Sequence, residues 1–283
     1  MNIPEKKICW RVTRRCNLSC EHCLAGHVNA VHGELSLGER AVAADTLAAA
    51  GLSRVTWTGG EPTLCADLPS LISKLQHAKV TSTITTHGLK LHDDLLSIIR
   101  NTDDCLRVSF DGRRETHNRI RGAQVFDRSF SNVQSAIETG VRVEVNLSAM
   151  RANVRELPEL AATLAHAGVS NIVVIALLLR ESALDNKLIP LTSDELEQLQ
   201  HDLREALCAF PSVGLRVNDY QQANDRYIIL ESDGTIVMSS DTQGDFPMGS
   251  ILAANGADIL REALEQHTLE HQQRVVVPTR RET

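Results

Sequence analysis

From residue 8 to about residue 210 the chain repeats one pattern: a short apolar, β-branched run, a loop, then a stretch whose apolar residues recur at helical spacing. Strand-like runs occupy residues 8–13, 55–58, 80–86, 105–110, 141–148 and 172–179. The first helix opens with a Ser36/Glu39 capping pair and stops at Gly51. The second puts Leu68, Leu71, Ile72 and Leu75 on one face, with Asp67 placed to cap it. Helices follow at 95–99, at 130–139 with Val133 and Ile137 inward, and through Leu157, Leu160, Ala161 and Leu164. A sixth opens with Thr192/Glu195 and carries Leu196, Leu199, Leu203 and Leu207 as its stripe. Such alternation predicts a parallel sheet with helices outside it. After residue 210 the character changes. Short strands at 214–217, 227–231 and 235–238, with an Asp233–Gly234 turn between the last two, precede a helix near 258–266. We expect an α/β core over residues 1–210, and a short α+β C-terminal extension, residues 211–283, covering its open side within the same domain.

Charge and composition narrow the partners. A net charge of −7 and 3% aromatic residues argue against a nucleic-acid polymer, which calls for a basic footprint and stacking rings. The longest apolar run, 172–179, is too short to cross a bilayer, and residues 1–7 are polar with no secretory pattern, so no membrane is expected. Seven cysteines, an odd number, do not form a disulfide framework in a chain of this kind, which points to the reducing cytoplasm.

Three of those cysteines, Cys16, Cys20 and Cys23, stand at CxxxCxxC spacing directly after the first strand. Three thiolates can hold three irons of a cubane and leave the fourth iron open to a ligand. Structural zinc asks for four close ligands, and the nearest other thiols, Cys9 and Cys65, fit no such spacing. A non-catalytic iron–sulfur or zinc protein remains the alternative at this stage. Cys9, Cys65, Cys105 and Cys208 read as buried small residues. After the second strand comes Gly59–Gly60–Glu61–Pro62, where glycines allow close backbone approach and Glu61 offers an anionic acceptor.

CxxxCxxC after the first strand, GGEP after the second, Thr-His-Gly after the third and Val-Ser-Phe-Asp-Gly after the fourth together resemble the radical S-adenosylmethionine (SAM) superfamily. The resemblance implies a (βα)6 partial TIM barrel with its site at the C-terminal ends of the strands. It further implies that Cys16, Cys20 and Cys23 ligate a [4Fe–4S] cluster whose fourth iron is chelated by SAM. Gly59, Gly60 and Glu61 would then meet the SAM ammonium, Thr86 and Ser109 its ribose or methionine end, Arg121 its carboxylate and Asn146 its ribose. His87 departs from the asparagine usual after that threonine, and His22 stands where an aromatic is usual. Cys65 is a candidate hydrogen-atom donor. No cysteine follows Cys208, unlike relatives with an auxiliary-cluster (SPASM-type) extension. The implied activity is reductive SAM cleavage, fed by an external donor such as flavodoxin or ferredoxin, acting on an unidentified organic substrate. The residues around Tyr227 and Ser250 resemble viperin, which implies a nucleotide. Those before Cys16 resemble peptide and heme-pathway maturases, and a sugar or cyclitol is a third option.

Overall fold

Every strand from the first to the seventh runs the same way. β1 (Lys7–Thr13), β2 (Arg54–Gly59), β3 (Thr81–Thr86), β4 (Cys105–Phe110), β5 (Val143–Ala149), β6 (Asn171–Ala176) and β7 (Gly214–Asn218) pair in sequence order, all parallel. β8 (Arg226–Leu230) joins the free edge of β1, also parallel, and β9 (Thr235–Ser240) and β10 (Gly244–Ser250) continue antiparallel from it. One ten-stranded sheet results, in the order β10-β9-β8-β1-β2-β3-β4-β5-β6-β7. The computed structural model describes residues 6–24, 33–219, 226–240 and 244–275, with side chains as far as His267.

Helices cover one face: α1 (Leu37–Ala49), α2 (Leu68–His77), α3 (Asp93–Ile99), α5 (Phe126–Glu138), α6 (Leu157–His166), α8 (Ser193–Ala206) and the last helix, α9 (Gly256–Val275), while α4 (Arg114–Arg121) and the single turn α7 (Ser182–Asp185) join in a small separate cluster through Ile120 and Ala183. Alternate strand residues point into the covering helices. Ile8, Trp10 and Val12 of β1 are buried, and Trp10 stacks on Trp57 of β2 at 4.9 Å between ring centroids. Leu47 of α1 and the predicted stripe of α2, Leu68, Leu71, Ile72 and Leu75, join the same apolar cluster. Each aliphatic side chain fully buried there contributes roughly 1.5–3 kcal/mol.

The opposite face of the sheet is polar and half-buried. Arg11 lies beside Thr58 in the β1–β2 register, and Thr85, Arg107 and Glu144 stand abreast across β3, β4 and β5. Arg107 pairs with Glu144 at 2.8 Å, and Arg11 pairs with Glu231, just past β8, at 2.7 Å. Burial alone would raise the Glu144 carboxyl, but the Arg107 hydrogen bonds bring it below its usual range. Arg180, in the loop after β6, bonds the Ser240 carbonyl and lies 3.5 Å from Asp245 of β10. β6 and β10 stand near opposite ends of the sheet order, so that side chain spans from one end of the sheet to the other.

Several expectations change. Residues 214–217 belong to a seventh parallel strand. A helix that the sequence reading lacked, α4, precedes α5; its charged face carries no apolar stripe, and only the left-handed Gly122 at its end marks it. Asp67 makes no cap bond. It takes a bidentate pair from Arg40 at 2.7 and 2.9 Å instead, while both predicted capping boxes form. The final helix runs nine residues beyond its expected end, to Val275. Cys208 is exposed rather than packed, and Cys9 is only half-buried. No helix among the described residues is long and apolar enough to cross a membrane.

Candidate active site at the C-terminal ends of the strands

The loop that leaves β1 carries all three spaced thiols. Cys16 is exposed, Cys23 half-buried and Cys20 buried. Burial foremost raises the pKa of both Cys16 and Cys20, and the neighbouring thiols of the loop add to it. The loop is held from two sides. On one, Gly60 N–H donates to the Thr13 carbonyl (2.7 Å) and Glu61 N–H to that of Arg15 (2.8 Å). On the other, Glu21 N–H donates to the Ile120 carbonyl of α4 (2.8 Å), and Asn186 donates to the Glu21 carbonyl (2.9 Å).

These contacts explain the paired glycines. A Cβ on Gly59 would stand 2.1 Å from the Thr13 carbonyl oxygen, and one on Gly60 2.2 Å from that of Arg15. Gly59 also has φ of +136°, a region that favours glycine. The turn is glycine because β2 closes directly on the chain entering the thiol loop.

Glu61 is almost fully buried, and its carboxylate ties the turn after β2 to the end of β3. Oε1 accepts from Thr63 N–H (3.1 Å), the Thr63 hydroxyl (2.7 Å) and the Thr86 hydroxyl (2.7 Å). Oε2 accepts from His87 N–H (3.0 Å) and lies 3.3 Å from His87 Nε2. Because Leu89 N–H donates to Nδ1, His87 carries its proton on Nε2 and donates it to Asn17 Oδ1 at 2.8 Å, inside the thiol loop. Burial lowers the His87 pKa against the pull of Glu61, keeping the ring neutral.

A second polar centre lies under Cys20. Asp111, which follows β4, is fully buried and accepts from Arg121 Nε at 2.5 Å; Arg121 Nη1 in turn donates to Cys20 Sγ at 3.7 Å. His22 Nε2 sits 3.3 Å from Asp111 Oδ1, outside hydrogen-bond geometry, and Oδ1 and His22 Nδ1 are left without hydrogen-bond partners. Burial would raise the Asp111 carboxyl; Arg121 foremost, with His22 and His117, holds it well below the carboxylate range. Burial pushes the Cys20 thiol up to about 11 against Arg121, and lowers His117 to about 4. Thiols in this state release protons when they take iron.

Of the residues read from sequence, the structure brings Arg121 against Cys20, Thr86 against Glu61, Gly59 and Gly60 against the thiol loop, and Ser109 opposite Asn146 in the β4–β5 register. Asn146 Oδ1 is buried without a hydrogen-bond partner. Cys65 packs in the apolar core, near Arg40, Asp67 and Arg15, its pKa raised to about 11 by burial. Asp111, Asn17, Arg11, Glu144 and Glu231 were not singled out by sequence reasoning. The usable signals were Asp111 closing a strand-end motif, and Arg or Glu at alternate strand positions. Among the described residues no three His, Cys, Asp or Glu side chains converge tightly enough for a single metal ion. A cubane gives each thiolate its own iron, and three thiols on one loop, with Leu18 N–H donating to Cys16 and Arg121 to Cys20, are a donor set that fits it.

Thiols, a carboxylate hub and a buried amide oxygen without a hydrogen-bond partner, all at or beyond the C-terminal halves of parallel strands, have the layout of a barrel enzyme. The chain belongs to the radical SAM superfamily, whose sequence profile matches residues 10–164. Its members are enzymes. The Fe-coproporphyrin III synthase of Methanosarcina barkeri is 32% identical over 154 residues, covering 53% of this chain and 39% of that protein. The mycofactocin maturase MftC of Mycobacterium tuberculosis is 31% identical over 157 residues, covering 54% and 40%. The chain thus matches about two fifths of the length of these relatives. Native anSMEcpe with bound AdoMet and peptide superposes with a TM-score of 0.73 at 15% identity, over 93% of this chain and 83% of that one, which establishes the partial-barrel fold.

Proposed function

We propose that Cys16, Cys20 and Cys23 hold one [4Fe–4S] cluster and that the enzyme acts on an organic substrate, a small molecule or a peptide. A cluster held there would supply, with SAM bound, reductive cleavage of SAM to methionine and a 5′-deoxyadenosyl radical able to take a hydrogen atom from that substrate. The observation that carries this reading is the thiol loop itself, fixed between the Gly59–Glu61 turn and α4, with an arginine donating to its most buried sulfur.

The protein's own part is to orient and to exclude water. Asn146 Oδ1, buried and unpartnered, and Ser109 across from it offer polar contacts to the SAM ribose or methionine end. Arg121 has N–H groups left beyond those given to Asp111 and Cys20, enough to meet a carboxylate as well. Glu61 already accepts four hydrogen bonds from the protein, so it serves the SAM ammonium with less spare capacity than its motif alone implies. The electron comes from an external low-potential donor of the flavodoxin or ferredoxin kind, in the reducing cytoplasm.

The test is anaerobic reconstitution with iron and sulfide, then dithionite and SAM, with 5′-deoxyadenosine measured by mass spectrometry. Wild type is expected to release it. A fully loaded cluster with none above background overturns the reading. Cys20→Ala is expected to lose the cluster and all SAM cleavage, whereas Cys208→Ala, whose thiol is exposed and far along the chain, keeps both.

A further inference from the structure

We infer that Arg121, held by Asp111, sets the reduction potential of the cluster by donating a charged hydrogen bond to the thiolate of Cys20. This rests on the reading of the three cysteines as cluster ligands, and goes beyond it by giving the Asp111–Arg121 pair an electronic role distinct from SAM binding.

The geometry is specific. Cys20 is the most buried of the three thiols, at 8% exposure, and Arg121 is equally buried. The guanidinium is shared between one carboxylate oxygen at 2.5 Å and the sulfur at 3.7 Å. Nothing in this arrangement is loose. The Asp111 carbonyl accepts from Asn153 Nδ2 at 2.8 Å, and the last turn of α4 is joined to the thiol loop through Ile120 and Glu21. Gly122, just past Arg121, brings the helix end so near that a Cβ there would stand 3.2 Å from the Ser19 carbonyl oxygen. The backbone that carries Arg121 therefore cannot draw back from Cys20 without moving the loop.

Hydrogen bonds to the sulfurs and local net charge are the protein's main means of setting the potential of an iron–sulfur cluster. A guanidinium stays protonated in proteins, so its charge is permanent. Taking up one electron makes the cluster more negative, and a fixed cation beside Cys20 favours that state. Asp111 offsets part of the effect while fixing the direction of the N–H. Buried in a low-dielectric setting, neither charge is screened as a surface pair would be. Removing one charge or the other should move the potential in opposite directions, a signature that loss of packing alone does not produce.

The experiment is an EPR-monitored redox titration of the reconstituted protein without SAM or substrate, with iron and sulfide content measured on each sample. For Arg121→Gln the ratio of reduced to oxidised cluster at a fixed poise is expected to fall at least tenfold, 59 mV for a one-electron couple. Asp111→Asn is expected to shift it the other way. Potentials unchanged in both variants, or shifted in the same direction, overturn the inference. Should Arg121→Gln take up no iron, Asp111→Asn still decides: an upward shift sustains the inference, and an unchanged or lower potential overturns it. A wild type that takes up no cluster overturns the ligand reading, and this inference with it. A loaded wild type that cleaves no SAM leaves the potential measurement decisive for Arg121.

Discussion

Alanine at Gly60 is expected to destabilise the protein by about 4 kcal/mol or more and to cut iron uptake at least tenfold. The added carbon would stand 2.2 Å from the Arg15 carbonyl oxygen and 2.6 Å from that of Arg14, both backbone atoms that no side-chain rotation can clear. Two responses are open to the chain. The end of β2 can move away, breaking the Gly60 and Glu61 N–H bonds to Thr13 and Arg15, or the segment 13–15 can move and carry Cys16 with it. Either separates the thiol loop from the turn that braces it. Gly38 provides the control: a Cβ there meets nothing within 4 Å, so alanine should leave stability the same or raise it by about 0.5–1 kcal/mol, because glycine weakens a helix. Urea unfolding midpoints and iron per chain read both outcomes. A Gly60→Ala protein with the wild-type midpoint and full iron would show that this turn does not brace the loop.

That result bears on what a sequence can disclose. The first six strands were legible because each is a short alternating or apolar run bounded by turn residues, and their order at once implied a parallel sheet. α2 was legible for the same reason, its four inward residues falling on one face. α4 was not, since residues 114–121 hold one aliphatic side chain, Ile120, and seven polar or charged ones. Its existence depends on where Arg121 and Ile120 are received, which is a tertiary fact. The thiol loop and the Gly-Gly-Glu turn were visible as motifs, but the reason for the glycines was not. Ligand approach is the local inference; the contact is with the chain's own residues 13–15, some 45 positions earlier. The Arg11–Glu231 pair spans 220 residues, and nothing local in either segment names the other. Asp67 shows the reverse case. Its position suits an N-cap, yet Arg40 on α1 outcompetes the backbone because a bidentate charged pair is stronger than a single cap bond.

Glu61→Ala is expected to cost about 4 kcal/mol in the absence of any ligand, and Glu61→Gln about 2 kcal/mol. Alanine leaves the N–H groups of Thr63 and His87 and the Thr86 hydroxyl in a buried site without their acceptor. Glutamine keeps an oxygen for Thr63 and Thr86, but turns its amide nitrogen toward the His87 N–H, donor against donor. The two hydroxyls can rotate to new partners and the two backbone N–H groups cannot, which sets the order of the variants. Equilibrium urea unfolding without SAM reads the effect, and a variant pair with unchanged midpoints would show the carboxylate to be a spectator in the fold. If the losses are found, weakened SAM binding in either variant no longer identifies Glu61 as a ligand contact. His87 and Thr86 move with it, and His87 reaches Asn17 in the thiol loop. The carboxylate would then act on the site chiefly by holding the ends of β2 and β3 against the loop that carries the cysteines.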